Sequence, residues 1–198
     1  MQIGWHEAGS SLSGRFGVLR EYDKVLGARL SGFYEPAAEV ISRYMSMAAS
    51  MPLSGTSQLR SSYMAMQTAL EMKQADHVSI DGLVADSYEF TFDRWHAGQP
   101  ETGRSNYAQS VSLRLPLATT GGYLSQLTTR GYQDGDYNSV LERYDLANNT
   151  RQIDLDFHHQ DGLWAGGRWM LKMHASHNVS GIRNKQDAGL FLGLKRAF

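Results

Sequence analysis

Four stretches of this chain alternate apolar and polar residues so regularly that they fit a strand of period two and no helix of period 3.6. From Tyr107 to Leu117, "YAQSVSLRLPL" sets Val111, Leu113, Leu115 and Leu117 against Ser110, Ser112 and Arg114. "TRQIDLDFHH", from Thr150 to His159, opposes Ile153, Leu155 and Phe157 to Asp154, Asp156 and His158. In "GGRWMLKMHASH", Trp169, Leu171 and Met173 oppose Arg168, Lys172 and His174, and "DSYEFTFDRW" opposes Tyr88, Phe90 and Phe92 to Glu89, Thr91 and Asp93. Each non-apolar face carries charge, so each strand is predicted to separate an apolar surface from a wet one.

Weaker alternation predicts further strands in "MQIGWHEA", "SGRFGVLREY", "AEVISRYMSMAASM" and "QLRSSYMAMQTALEM", the last of which also suits a helix between Ser62 and Lys73. Tyr123 to Arg130 and Tyr137 to Ala147 supply two more, separated by an Asp134-Gly135 hairpin signal. With the terminal "AGLFLGLKRAF" the expectation is about eleven strands. Longer connectors such as "DKVLGARLSGFYE" and "NVSGIRNK" fall on one side and tighter ones such as "PLSGTS" and "QDGL" on the other, an up-and-down pattern with one looped rim. "ANN" and the stretch from His96 to Asn106 break that rule.

At 198 residues, with no Pro/Ser-rich or charge-dense linker, the chain is expected to be one domain, 1–198. Its formal net charge of −1 argues against a broad basic surface for nucleic acid, and its 10 Tyr and 4 Trp argue against disorder. No run approaches the roughly 18 to 20 apolar residues of a spanning helix, but a transmembrane β-strand needs only about 9 to 11 residues, half of them apolar. The absence of Cys excludes disulfides and thiolate metal sites. "MQIGWHEAGS" has no basic stretch followed by an apolar core, so the chain either stays inside a cell or is a piece of a longer one.

The closing "AGLFLGLKRAF" resembles the terminal signature strand of outer-membrane barrels, with Leu190, Leu192, Leu194 and Phe198 in the lipid-facing register and Arg196 as a departure from it. "GVLREYDKVLGARLSGFY", "SVSLRLPLATTGGYLSQL" and "ERYDLANNTRQIDLDFHHQDGLWAGGRWML" then follow in the order found in translocator barrels of autotransporters, especially those with a subtilisin-type serine protease passenger. The resemblance implies an all-β, up-and-down antiparallel transmembrane β-barrel, with about eleven strands visible of twelve. It implies the outer membrane of a Gram-negative bacterium, type V protein secretion, and three partners: membrane lipid, the barrel assembly machinery and the chain's own passenger. It places the first strand, the pore linker and the passenger before Met1, and any protease activity in that passenger. The chain itself is then no enzyme, and no cofactor is expected.

Asp154, Asp156, His158 and His159 form a D-x-D-x-H-H cluster that invites a metal, but alternation puts three of them on one face and no second ligand cluster occurs. They read better as lining. Arg114, Asp154, Asp156, Arg168 and Lys172 are the lumen-facing candidates, with the basic members positioned to pair with Asp93, Asp154 and Asp156. No nucleophile elbow, phosphate loop or zinc-protease motif is present, and no catalytic residue is assigned. Two other classes share these features: another outer-membrane barrel, either a diffusion porin or a barrel enzyme, and a soluble all-β binding module.

Overall fold

Where the residues alternate, the chain is extended. The computed structural model describes residues 1–22, 24–25, 28–29, 36, 39–70, 72, 77–96, 107–133, 136–162 and 167–195. Its strands are β1 (Gln2–Glu7), β2 (Ser10–Glu21), β3 (Lys24–Val25), β4 (Ala28–Arg29), β5 (Val40–Ser54) and β6 (Ser57–Ala69). They continue as β7 (Val78–His96), β8 (Tyr107–Gln133), β9 (Asp136–Asp145), β10 (Ile153–Gly162), β11 (Arg168–His177) and β12 (Gln186–Lys195). Ten of them form one antiparallel sheet in the order β1-β2-β5-β6-β7-β8-β10-β11-β12, with β9 also on β8, while β3 and β4 make a separate two-stranded ribbon. The fold is all-β, and the sheet runs up and down in chain order except that β3 and β4 stand apart from it and β9 and β10 both pair with β8. Ser62 to Ala69 is strand, so the helical alternative there falls; Lys73 lies outside the described residues.

Two expected strand breaks are not breaks. Tyr107–Leu117 and Tyr123–Arg130 are parts of one 27-residue strand, β8, because Gly121 and Gly122 bend the chain without turning it. Opposite them the register against β7 shifts between Asp81 and Val84, and both Gly82 (φ 63) and Gly122 (φ 125) have positive φ. These are marks of a β-bulge, in which an extra residue is absorbed and the strand continues. The second break, at "ANN", was expected to join antiparallel neighbours. Instead β9 and β10 lie end to end on the same edge of β8, with Leu146 N bonded to Gly122 O at 2.9 Å and Asn148 N to Thr119 O at 2.8 Å along the join. Each join removes one strand from the expected eleven, leaving a sheet nine strands wide. Gln133 pairs with Asp136 at the β8–β9 hairpin, whose tip, Asp134-Gly135, lies outside the described residues.

Gly122 is where the bulge is most demanding. A Cβ there would stand 2.9 Å from Leu83 Cα, a backbone atom that cannot swing away. Gly122→Val therefore combines a strained positive φ with a main-chain clash and is expected to lower stability by about 1–3 kcal/mol or more. Gly121→Ala, whose Cβ would meet Val84 Cβ at an ordinary 3.8 Å, should be close to neutral. Equal unfolding midpoints for the two variants would contradict the bulge assignment.

Candidate functional site

The registers sort the side chains of nine strands onto two faces of opposite character. One face carries Ser11 and Ser13 of β2, Ser46 and Ser50 of β5, Gln58, Arg60 and Ser62 of β6, and Glu89, Thr91 and Asp93 of β7. It continues through Ser110, Ser112 and Arg114 of β8, Asp154, Asp156 and His158 of β10, and Arg168, Lys172, His174 and Ser176 of β11. All five lumen candidates share this face. Arg114 lies directly between Glu89 and Asp154 in register, and its Nη2 donates to Asp156 Oδ2 at 2.5 Å. Asp154 accepts from Ser176 Oγ at 2.6 Å and from Gln152 Nε2 at 2.8 Å. Lys172 stands opposite His158 and Phe191, and Arg168 opposite Lys195.

The expected pairing of Asp93 with Arg114, Arg168 or Lys172 gives way to a nearer cation. Arg60 on the adjacent strand grips Asp93 through both Nε at 2.6 Å and Nη2 at 3.1 Å, and Gln58 adds a third bond at 3.2 Å. Ser42 with Thr68, and Thr91 with Ser112, add hydroxyl pairs between other neighbouring strands. Interstrand polar bonding thus recurs across this face, and it holds some of the most buried side chains in the chain: Asp154 and Ser176 are each 6% exposed.

The other face is apolar and open. Leu113 lies opposite Leu155, Leu171 opposite Leu192, Met173 opposite Leu190, and Trp169 opposite Leu194. Leu190, Leu192 and Leu194 are 73%, 65% and 76% exposed, and Phe16, Phe90, Leu155 and Met173 are about half exposed alongside them. Phe198 lies outside the described residues. Two aromatic groups border this surface. At the end of the short turns, His96, Tyr107, His159 and Trp169 form a row across β7, β8, β10 and β11, with successive ring centroids 5.6, 6.5 and 4.7 Å apart. His159 is therefore part of an aromatic rim on the face opposite His158, and the D-x-D-x-H-H cluster is divided between the two faces. Toward the other end Tyr63 and Tyr88 pack at 4.6 Å, Arg151 lies over Tyr88, and Arg151 pairs with Asp86. Tyr88 and His96 are eight residue steps apart on β7, or about 26 Å along the strand at roughly 3.3 Å per residue.

No family model, curated protein or solved structure matches this chain. The functional reading therefore rests on the chain's own residues.

One cluster on the polar face has the spacing of a nucleophilic relay. Ser176 Oγ is 2.7 Å from His174 Nε2, and His174 Nδ1 is 2.7 Å from Asp156 Oδ1. Its setting is wrong for acyl transfer. The Ser176 hydroxyl donates to Asp154, so its proton points away from the imidazole, and the serine is buried. β11 is paired in ladders with β10 and β12 on both sides, which commits the backbone N–H groups that an oxyanion would need. With Arg114 on the far side of Asp156, the cluster is a polar strut linking β8, β10 and β11.

Proposed function

We propose that this chain is the wall of an outer-membrane β-barrel that anchors an upstream passenger and carries it through a polar lumen, as an autotransporter translocator does. The observation that carries the membrane reading is the division of the sheet: large apolar side chains stand exposed on one face, while the other carries polar and charged groups bonded between strands, with Ser42, Thr68, Thr91, Asp154 and Ser176 buried among them. In water an apolar face of this extent would need a covering layer. In lipid it needs none, and aromatic groups toward both ends of the apolar face suit the aromatic girdles of transmembrane barrels. Closing the sheet would turn the polar face into the lumen and remove the two edges.

The translocator assignment draws on the order of the autotransporter-like stretches and on the mixed character of the polar face. Arg60 with Asp93 and Arg114 with Asp156 neutralise one another, and Ser and Thr hydroxyls fill the space between. A lumen of this kind offers an unfolded polypeptide hydration without a strong field of either sign. The test places a signal peptide and a reporter segment before Met1 in a Gram-negative host. The expected result is this chain in the outer-membrane fraction, soluble only with detergent, and the reporter cleavable by protease added outside intact cells. Recovery in the aqueous fraction would support a soluble module. Membrane insertion with the reporter left inside would support a porin or barrel enzyme.

A further inference from the structure

Toward the short-turn end, the apolar face turns polar in a single cross-strand row. On this face Phe92 of β7 gives way to Arg94, Val111 of β8 to Gln109, and Phe157 of β10 to His159. The registers set Arg94 directly opposite Gln109, and Gln109 directly opposite His159. Gln109 Nε2 lies 3.1 Å from His159 Nδ1; with the amide as donor, Nδ1 accepts and His159 carries its proton on Nε2. The imidazole packs beside Trp169, ring centroids 4.7 Å apart. Arg94 is exposed, and its partner on the other side, in β6, is Ser57, so among the described residues no carboxylate shares its row. The acid beside the row, Asp161, stands opposite Tyr107, one step farther from the apolar residues, and is engaged within the chain. A guanidinium at this place holds out a planar fork of N–H donors, the shape that grips phosphate oxygens in pairs.

We propose that Arg94, Gln109 and His159 form a site for the phosphodiester of one membrane phospholipid, whose acyl chains lie along Phe92, Val111 and Phe157. This rests on the reading of the apolar face as lipid-facing, and it is independent of how the sheet closes. Arg94 and His159 stand two strands apart, about 10 Å between backbones at roughly 4.8 Å per strand, so both side chains can reach one phosphate above Gln109. Arg94 supplies the charge, and the Nε2–H of His159 a second donor. A row of donors at the border of an apolar face falls where a bilayer places its headgroups, and the large apolar residues behind it meet the chains. Lipid without a phosphate would cover the same apolar residues and leave the row's donors unanswered.

The experiment folds the full chain into uncharged detergent micelles and titrates it with phosphatidylglycerol or with diacylglycerol of the same acyl chains, counting bound lipid by native mass spectrometry. One phosphatidylglycerol should be retained, and Arg94→Gln with His159→Gln should weaken its retention about tenfold, the effect of losing charge-assisted hydrogen bonds. Lys195→Gln, which removes a cation from the polar face at the same end, should leave it unchanged. If the glutamine variant does not fold, Arg94→Lys, which keeps the charge and loses the fork, takes its place with the same direction expected. Undiminished retention in the folded variant would mean that lipid binds elsewhere, and the site falls while the lipid-facing reading stands. Diacylglycerol held as well as phosphatidylglycerol would mean that only the apolar residues bind, with the same consequence. Inorganic phosphate displacing the lipid at equal concentration would make this a site for a soluble anion and overturn the lipid assignment. If the chain instead folds in water and takes up no detergent, the lipid-facing reading falls and takes the site with it.

Discussion

Leu155→Arg is expected to lower the unfolding free energy in lipid vesicles by about 2–4 kcal/mol, the cost of a cation near mid-bilayer on the outer face of a barrel. Leu155 sits between Leu113 and Ala175 in the apolar face, half exposed, with no carboxylate paired opposite it in either register. Ser112→Arg, on the neighbouring strand but on the polar face opposite Thr91 and Asp156, should cost far less because water and Asp156 are at hand. Denaturant titration of the two variants measures the difference. Equal losses would mean that both faces meet the same solvent, which a lipid-embedded wall cannot allow.

A second large effect follows from the width of the sheet. Among the described residues β1 pairs only with β2 and β12 only with β11, and in an antiparallel sheet nine strands wide the first and last strands run the same way. Their edges cannot join as antiparallel neighbours. A second copy of the chain does not help, because copies inserted in one orientation would bring β12 beside β1 in parallel. In lipid each unpaired N–H or C=O on those edges costs several kcal/mol. One added strand running opposite to both relieves them. Supplying roughly 10 to 15 residues of alternating polarity before β1, enough for a strand and its turn, should therefore raise resistance to heat unfolding in detergent markedly. If the 198-residue chain is already as resistant as the extended form, the sheet closes in some other way and the edge argument fails.

The strands and their faces were legible because period two is a property of the residues themselves. Leu155 between Asp154 and Asp156 leaves one arrangement in which apolar and charged groups part company. The strand count was not legible, because Gly121-Gly122 and the residues from Leu146 onward carry turn-like composition at places where neighbouring strands hold the chain straight. Whether a glycine pair turns or bulges is decided by its partner, here Gly82 and Leu83 of β7. The two misplaced breaks cancelled in parity, so the direction of β12 relative to β1 came out the same from eleven expected strands as from nine observed. Partner choice on the polar face was hidden for a similar reason. Arg60 reaches Asp93 because β6 lies beside β7 in the register that brings them one step apart, and nothing in "SQLRSS" reveals that register.

The most direct measurement of the central claim is the side-by-side labelling of three consecutive positions of β10. Asp154→Cys, Leu155→Cys and Asp156→Cys, made singly in the membrane-inserted chain, are exposed in parallel to a lipid-soluble and a water-soluble thiol probe. An apolar face against lipid and a polar face against a wet lumen predict that position 155 reacts best with the lipid-soluble probe. Position 156, which stands beside Arg114 and His174, should then react only from water, and the more buried 154 slowly from the same side. Stronger labelling of 154 and 156 than of 155 by the lipid-soluble probe, or no difference among the three, would contradict the account.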